Sequence, residues 1–204
     1  MAFLSSDVVT PAGRGVRGRK LTIRYKTTAL RILFARKRAI GVEYLQEGKC
    51  VRAYSRKKVI ISAGINSAQL LLLSGIGPAT ELKEASIPVI FNNPNVGLRL
   101  RNHTLNFAVF STNHNDRALP ASDPDALYTG GAFLPDPTGA DPHRHAVQLI
   151  GIGSGDMLSI AILCLRPKSR GSITIQNKDP PTIVLADEGF LANPDDMESV
   201  NNIY

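Results

Sequence analysis

The segment from residue 57 to residue 103 constrains the fold of this chain more than any other part of the sequence. It begins with the apolar run Val59-Ile60-Ile61. Because the run does not alternate with polar residues, it predicts a strand buried on both faces, as at the centre of a parallel sheet. The run leads into Ser62-Ala63-Gly64, whose small side chains let another backbone or a cofactor approach closely. This order is typical of a strand-to-helix unit that holds a dinucleotide.

The sequence after this turn predicts two helices and a short strand. Ser67 is the expected cap of a helix over 68–74, because its hydroxyl can accept a hydrogen bond from an unpaired amide. Two glycines then end that helix. Pro78 opens a second helix over 78–85, at a position where its missing N–H has no consequence. The short strand is predicted at Ile87-Pro88-Val89.

Residues 1–58 carry most of the positive charge. The 204-residue chain has 24 Lys and Arg and a net charge of +7, and 15 of those 24 lie in this part beside only three acids. The basic residues alternate with apolar ones, which puts them on the solvated face of an antiparallel meander. Because no aromatic stacking platform accompanies them, we expect no nucleic-acid partner. The predicted strands lie at 21–25, 29–34, 40–45 and 50–54, after a basic loop at 11–20.

The sequence after His103 predicts a second, largely antiparallel sheet. Short apolar or alternating runs supply its strands, and the polar, proline-containing stretch 111–145 is expected to be a long excursion. Asn193 followed by Pro194 and two acids predicts the start of a helix. The predicted strands lie at 105–110, 129–134, 147–152, 158–165 and 171–176.

Several kinds of site are not expected. No run is long and apolar enough to span a bilayer. The cysteines, Cys50 and Cys164, are too few and too far apart to suggest a disulfide framework or a metal site. His143 and His145 lack further ligands nearby, and the glycine cluster at 151–155 is expected to be a turn at a sheet edge. We therefore assign no metal-ligating and no catalytic residue.

Three segments, in order, resemble the glucose–methanol–choline (GMC) flavin oxidoreductases. Chains of that family carry a similar Ser-Ala-Gly-Ala…Ser-Pro…Leu-Leu…Ser-Gly-Ile-Gly-Pro signature, an Ile-Pro-Val strand and a Val-Gly-x-Asn-Leu-x-Asp-His segment. The corresponding residues here lie at 62–78, 87–89 and 96–103, with a Gly-Val-Glu-Tyr stretch at 41–44 and the opening of the C-terminal domain at 165–200.

The resemblance implies an α/β plus α+β fold. A partial Rossmann-like FAD-binding domain over residues 1–104 would join an antiparallel-sheet substrate domain over residues 105–204. The implied protein is a GMC-type flavin alcohol oxidase or dehydrogenase, in which hydride passes from a small-molecule alcohol to FAD and a histidine takes the hydroxyl proton. The implied cofactor contacts are Ala29, whose backbone would face the adenine, and Ala63 and Gly64 beside the dinucleotide. Plain packing is the alternative for each of the three.

The chain also departs from the family pattern. The family's N-terminal unit of a strand, Gly-x-Gly-x-x-Gly and a helix, which cradles the FAD pyrophosphate, has no counterpart, nor does the segment with the catalytic histidine. The signature lacks one small residue and has Ala68 in place of a proline, and His103 is expected to be structural. We therefore expect a middle fragment that is poorly stable and inactive alone. The alternative is a non-catalytic or degenerate binding module derived from this fold, and the oligomeric state stays open.

Overall fold

The structure is a computed structural model that describes residues 4–111, 128–135, 145–154, 157–178 and 184–201. The chain divides into two compact units. Unit 1 comprises Met1–Gly97 and Thr174–Leu185, and unit 2 comprises Leu98–Ile173 and Ala186–Tyr204. Each unit has its own hydrophobic core. No helix in the described ranges is both long enough and apolar enough to cross a membrane.

Unit 1 contains an antiparallel meander whose strands follow one another in space as they do in sequence. Three of the four strands predicted for this part are confirmed. They are β1 (Thr27–Ala35), β2 (Arg38–Gln46) and β3 (Lys49–Tyr54).

The fourth predicted strand, at 21–25, is wrong. This segment hydrogen-bonds back onto the basic loop instead of joining the sheet: the amide of Ile23 donates to the carbonyl of Gly13 at 2.7 Å. An isolated bridge joins Arg14 to Thr22. Lys26 then turns the chain with a φ of 50° before the sheet begins.

The signature segment folds into the two expected helices and one very short parallel pair. Fully buried Leu72 and Leu82, one from each helix, form the centre of the core, with Ala85, Ile87 and Ile175 around them. The elements are α1 (Asn66–Leu73), β4 (Ile76–Gly77), α2 (Ala79–Glu84) and β5 (Phe91–Asn92), and β4 pairs with β5 in parallel.

The strand predicted at Val59–Ile61 is not formed. These residues have no regular structure, and the side chain of Ile60 is 73% exposed. A parallel strand needs a neighbour to bond its backbone, and the described residues provide none for this run. The Rossmann-like part of the fold prediction is therefore not confirmed.

Two local details of the signature also differ from expectation. Ser67 does not cap α1: Ile65 holds the cap position, and the Ser67 hydroxyl instead accepts a hydrogen bond from the amide of Ala63 at 3.0 Å. The strand predicted at Ile87-Pro88-Val89 lies slightly later, at Phe91–Asn92. Proline cannot donate to a ladder, whereas the amides of Ile90 and Phe91 both reach the carbonyl of Gly75.

Unit 2 is dominated by antiparallel strands, as predicted. One sheet has the order β7-β10-β9-β8 and a smaller one the order β12-β11-β6. A short helix follows the last strand and begins where the Asn-Pro-acid pattern indicated. The elements are β6 (Leu98–Leu100), β7 (Thr104–Ser111), β8 (Tyr128–Pro135), β9 (His145–Ser154), β10 (Met157–Cys164), β11 (Gly171–Thr174), β12 (Leu185–Asp187) and α3 (Pro194–Asn201).

The part of the predicted glycine turn that the structure describes, residues 151–154, belongs to a strand. It continues β9, where Gly151 pairs with Ile160 on one side and with Gly130 on the other. Gly153 pairs with Leu158 of β10. These pairings hold the backbone extended despite its glycines. His143 lies outside the described residues, as does most of the excursion predicted at 111–145.

We predict that Gly75→Ala destabilises the chain more than Gly48→Ala. Both glycines have positive φ, +82° and +74°, so each alanine incurs a backbone strain of about 1 kcal/mol. A Cβ on Gly75 would also lie 2.4 Å from the carbonyl oxygen of Pro88, whereas one on Gly48 would meet nothing within 4 Å. Overpacking of this kind adds about 1–3 kcal/mol. Urea unfolding of the two variants measures the difference, and equal losses would contradict the close packing at Gly75.

Candidate functional site

The meander of unit 1 carries an open cleft of about 660 Å³ on one face. Its floor is made of strand residues and its rim of basic and hydroxyl side chains. The lining residues are Arg14, Thr22, Arg24, Thr27, Ala29, Val42, Tyr44, Val51, Arg52 and Ala53.

The floor of the cleft follows from strand alternation and register. Ala29 of β1 pairs with Tyr44 of β2, which in turn pairs with Val51 of β3. Val42 and Ala53 form the neighbouring pair. Because alternate residues share a face of a sheet, these side chains point the same way. Ala29 and Ala53 are small, so the floor stays open above them.

The rim of the cleft is strongly basic. Three arginines, Arg14, Arg24 and Arg52, line it, and no carboxylate is among the lining residues that the structure describes. The guanidinium of Arg14 donates to the hydroxyl of Thr22 at 3.1 Å. An arrangement of guanidinium and hydroxyl groups around a small-residue floor suits a flat ligand that carries phosphates.

Glu43 holds two arginines with its two carboxylate oxygens. Arg52 Nε donates to Oε2 at 2.8 Å, and Arg31 Nε donates to Oε1 at 2.9 Å. The three residues form one rung across the meander, because Glu43 pairs with Arg31 of β1 and with Arg52 of β3. The hydrogen bonds from Arg52 and Arg31 outweigh the effect of burial and lower the pKa of Glu43 below its ordinary value of 4.5.

A second cavity, of about 390 Å³, is lined in part by Glu43 and Leu45. These residues alternate along β2 with Val42 and Tyr44 of the cleft floor, so they lie on the other face of the meander. Arg31 lines this cavity. The carboxylate of Glu43 binds both arginines, Arg31 and Arg52, on the face of the meander opposite the cleft floor. The remaining lining residues are Leu30, Cys50, Leu73, Ser86, Ile87, Pro88 and Lys178.

Of the three cofactor contacts expected from the sequence, the cleft contains Ala29. Ala63 and Gly64 lie in an exposed turn before α1 and are not among the residues that line the cleft. Gly64 has a φ of +58°, and a Cβ there would meet nothing within 4 Å. The turn therefore has an open backbone that a second molecule could approach.

The described histidines, His103 and His145, belong to unit 2. His103 is exposed, and its backbone amide donates to the side-chain oxygen of Asn102 at 2.9 Å. His145 packs against Phe133 with ring centroids 5.8 Å apart.

Asp196 is a residue that the sequence did not single out by itself. Its carboxylate accepts hydrogen bonds from the amides of Lys168 and Ser169, both at 2.7 Å, and from the Ser169 hydroxyl. Burial raises its pKa, but these hydrogen bonds outweigh burial and leave the pKa below its ordinary value. The segment Lys168–Arg170, just before β11, thus has a carboxylate of its own chain bound to its amides.

Comparison with known proteins identifies the class. The family model for GMC oxidoreductases matches residues 12–105. Human mitochondrial choline dehydrogenase is 52% identical over 79 residues, 38% of this chain and 13% of that protein. The ecdysone oxidase of Spodoptera littoralis is 28% identical over 228 residues, 90% of this chain and 38% of that protein. The chain is thus similar to GMC oxidoreductases, and it spans well under half the length of these relatives.

Solved structures share the fold. A formate oxidase superposes with a TM-score of 0.75 at 21% identity, over 89% of this chain and 42% of its own. Pyridoxine 4-oxidase from Mesorbium loti gives a TM-score of 0.72 at 19% identity, over 91% of this chain and 38% of its own. A further formate oxidase structure, from Aspergillus oryzae and also 21% identical, concerns the modification of that enzyme's FAD. The comparisons thus agree with the family and the FAD cofactor that the sequence predicted, as properties of the proteins that this chain resembles.

We predict that Glu43→Gln lowers the free energy of unfolding by about 1 kcal/mol at pH 7, because two charge-assisted hydrogen bonds weaken while both arginines remain half-exposed. A lowered folded pKa means that the contribution of Glu43 is fully present above about pH 4.5 and is lost as the pH falls through the folded value. The gap between wild type and variant should therefore close under acid conditions.

Urea unfolding at several pH values measures this gap. Glu47→Gln, in the exposed turn between β2 and β3, is the matched control and should change stability by less than about 0.5 kcal/mol. A gap between wild type and Glu43→Gln that stays constant from neutral to acid pH would contradict an ionised, hydrogen-bonded Glu43.

Proposed function

We propose that this chain is part of an FAD-dependent oxidoreductase that oxidises the CH–OH group of a small-molecule alcohol. Residues 1–104 would contribute to the FAD-binding domain and residues 105–204 to the substrate-binding domain. The similarity to GMC oxidoreductases supports the oxidoreductase class, and the basic cleft over the meander is the observation that carries the proposal for this chain.

The residues of the cleft fit the adenosine end of FAD. A volume of about 660 Å³ lies within the range of about 300–1,000 Å³ that is usual for small-molecule sites. Ala29 leaves the floor open for a flat ring, and the arginines of the rim supply donors for phosphate oxygens. When bound, FAD supplies the acceptor for the two electrons of the alcohol oxidation. This chain's own part is to bind and orient the nucleotide.

Ala63 and Gly64 are proposed as a second contact, with the backbone of the dinucleotide. The support is local: the turn is exposed, Gly64 has positive φ, and no neighbouring atom lies where its Cβ would be. An approaching phosphate could therefore come close to the backbone of Gly64, whereas the amide of Ala63 already donates to the Ser67 hydroxyl.

The alternative is a non-catalytic binding module. It is favoured by one observation on this chain: its Gly-x-Gly-x-x-Gly pattern, at 13–18, lies in a loop and not between a strand and a helix. The two proposals differ in turnover, since both allow an adenine nucleotide to bind.

We predict that Ala29→Leu weakens binding of FAD and ADP at least about fivefold, because the larger side chain occupies the cleft floor. Titration of the ¹⁵N-labelled 204-residue chain with each nucleotide, followed by amide chemical shifts, measures the affinity and locates the site. The expected shifts cluster on β1–β3.

The control for this titration is Ala35→Leu, the same substitution at the exposed end of the same strand. It should leave the affinity unchanged. Binding that is insensitive to Ala29→Leu, or shifts that cluster away from the meander, would remove the cleft from the proposed function.

We predict that the 204-residue chain alone does not oxidise alcohols. Its Gly-x-Gly-x-x-Gly pattern, at 13–18, lies in a loop with no strand before it and no helix after it, whereas dinucleotide folds hold the pyrophosphate at a helix that follows such a turn. The test incubates purified chain with FAD, a panel of primary and secondary alcohols, and several electron acceptors. Flavin-dependent turnover above that of a mock purification would refute this prediction and exclude the non-catalytic alternative.

A further inference from the structure

We propose that the second cavity of unit 1 binds a small monocarboxylate with an apolar body, and that Arg31 receives the carboxylate. The cavity measures about 390 Å³, within the range of about 300–1,000 Å³ that is usual for small-molecule sites. The meander strands line it with the face opposite the cleft floor, so it is separate from the proposed nucleotide site. The inference goes beyond the proposed function and does not depend on it.

The register of the meander points four side chains into this cavity. Arg31 of β1 pairs with Glu43 of β2, and Leu45 of β2 pairs with Cys50 of β3. Because Glu43 and Leu45 are two residues apart on one strand, all four side chains share a face of the sheet. All four are also among the residues that line the cavity. The pairing therefore places a charged group and an apolar group side by side on one wall.

The rest of the lining is mostly apolar and supplies a place for the body of the ligand. Leu30, Leu73, Ile87 and Pro88 line it together with Leu45. Leu30 and Ile87 are only 8% and 6% exposed, so their part of the wall belongs to the packed interior of unit 1. An aliphatic chain or a ring that contacts these side chains leaves water, which favours binding.

The charges around the cavity select an anionic ligand. Two cationic residues, Arg31 and Lys178, line it, and Glu43 is the only acid among the lining residues that the structure describes. The two oxygens of Glu43 already accept hydrogen bonds from Arg31 and Arg52. One negative charge is thus shared by two guanidinium groups, and the positive charge of Lys178 adds to the excess. A ligand carboxylate balances this excess, whereas a cation would be repelled.

Arg31 is held in place for such a ligand. Its Nε donates to Oε1 of Glu43 at 2.9 Å, which leaves the two Nη groups outside this contact. The side chain of Arg31 is 52% exposed, so these groups remain accessible. An arginine that is already fixed at Nε loses less side-chain freedom when it binds. Two parallel N–H donors match the two oxygens of a carboxylate.

The test titrates the ¹³C-methyl-labelled 204-residue chain with hexanoate, hexanamide and acetate. Hexanamide keeps the shape of hexanoate without its charge, and acetate keeps the charge without the apolar body. Hexanoate should bind with a dissociation constant on the order of 1 mM, and each of the other two at least about fivefold more weakly. The methyl signals of Leu45, Leu73 and Ile87 should shift, whereas those of Val42 and Val51, on the other face of the meander, should not.

Two arginine variants form a matched pair. Arg31→Ala and Arg52→Ala each remove one hydrogen bond to Glu43, from side chains of similar exposure, 52% and 55%, but of the two only Arg31 lines the cavity. Arg31→Ala should weaken hexanoate binding about five- to tenfold, and Arg52→Ala less than about twofold. Lys178 is exposed, so Lys178→Ala should leave the fold intact and weaken binding about two- to threefold.

Cys50 provides a second, chemical readout. Its thiol is exposed and lines the cavity, whereas Cys164 is buried. Saturating hexanoate should slow the alkylation of Cys50 by iodoacetamide at least about threefold, because the bound ligand restricts access to the thiol. Hexanamide and acetate at the same concentration should have little effect.

Three results would overturn the proposal: equal affinities for hexanoate and hexanamide, equal effects of the two arginine variants, or methyl shifts confined to Val42 and Val51. Failure of hexanoate to bind the wild-type chain would overturn it as well. If hexanoate shifts the cavity methyl groups but neither ADP nor FAD binds, the cavity assignment stands and only the cleft assignment fails.

Discussion

A single buried serine joins the two parts of unit 1. The Ser74 hydroxyl accepts a hydrogen bond from the amide of Ile32 in β1 at 2.8 Å and donates to the carbonyl of Leu70 in α1. Ser74 is 7% exposed, so water is no ready substitute for either partner. The bond fixes the meander against the signature helix. Leu30 and Leu73, neighbours of the bonded residues, both line the second cavity, so its shape depends on this contact.

The alternation of polar and apolar residues correctly predicted the strands that have one solvent-exposed face. Prediction failed where the formation of a strand depends on a neighbouring strand. The alternation in β1–β3 needs no distant partner to be recognised, because each strand pairs with the next one in the chain. Val59–Ile61 has the composition of a buried strand, yet without a parallel neighbour it stays irregular. The error at residues 151–154 is the reverse: glycines that indicate a turn in isolation are held extended because β8 and β10 bond the strand on both sides.

The candidate site was predictable only in part, because the pairing register of β1 and β2 could not be derived from the sequence. The resemblance indicated Ala29, and alternation puts Tyr44 on a face different from that of Glu43. Which residue of β1 meets Glu43 is decided by a bulge between Ala29 and Arg31. The residue at that bulge is Leu30, not a glycine, so nothing in the sequence marks it. The rung of Arg31, Glu43 and Arg52 could therefore be recognised only in three dimensions.

The contact between Asp196 and the loop before β11 has a consequence for how α3 folds. A helix of eight residues is too short to nucleate readily by itself. The amides of Lys168 and Ser169 donate hydrogen bonds to a carboxylate in its first turn. The conformational entropy of the helix and that of the loop are therefore lost in the same step. Helix and loop therefore order and melt as one cooperative unit, although 27 residues separate Ser169 from Asp196.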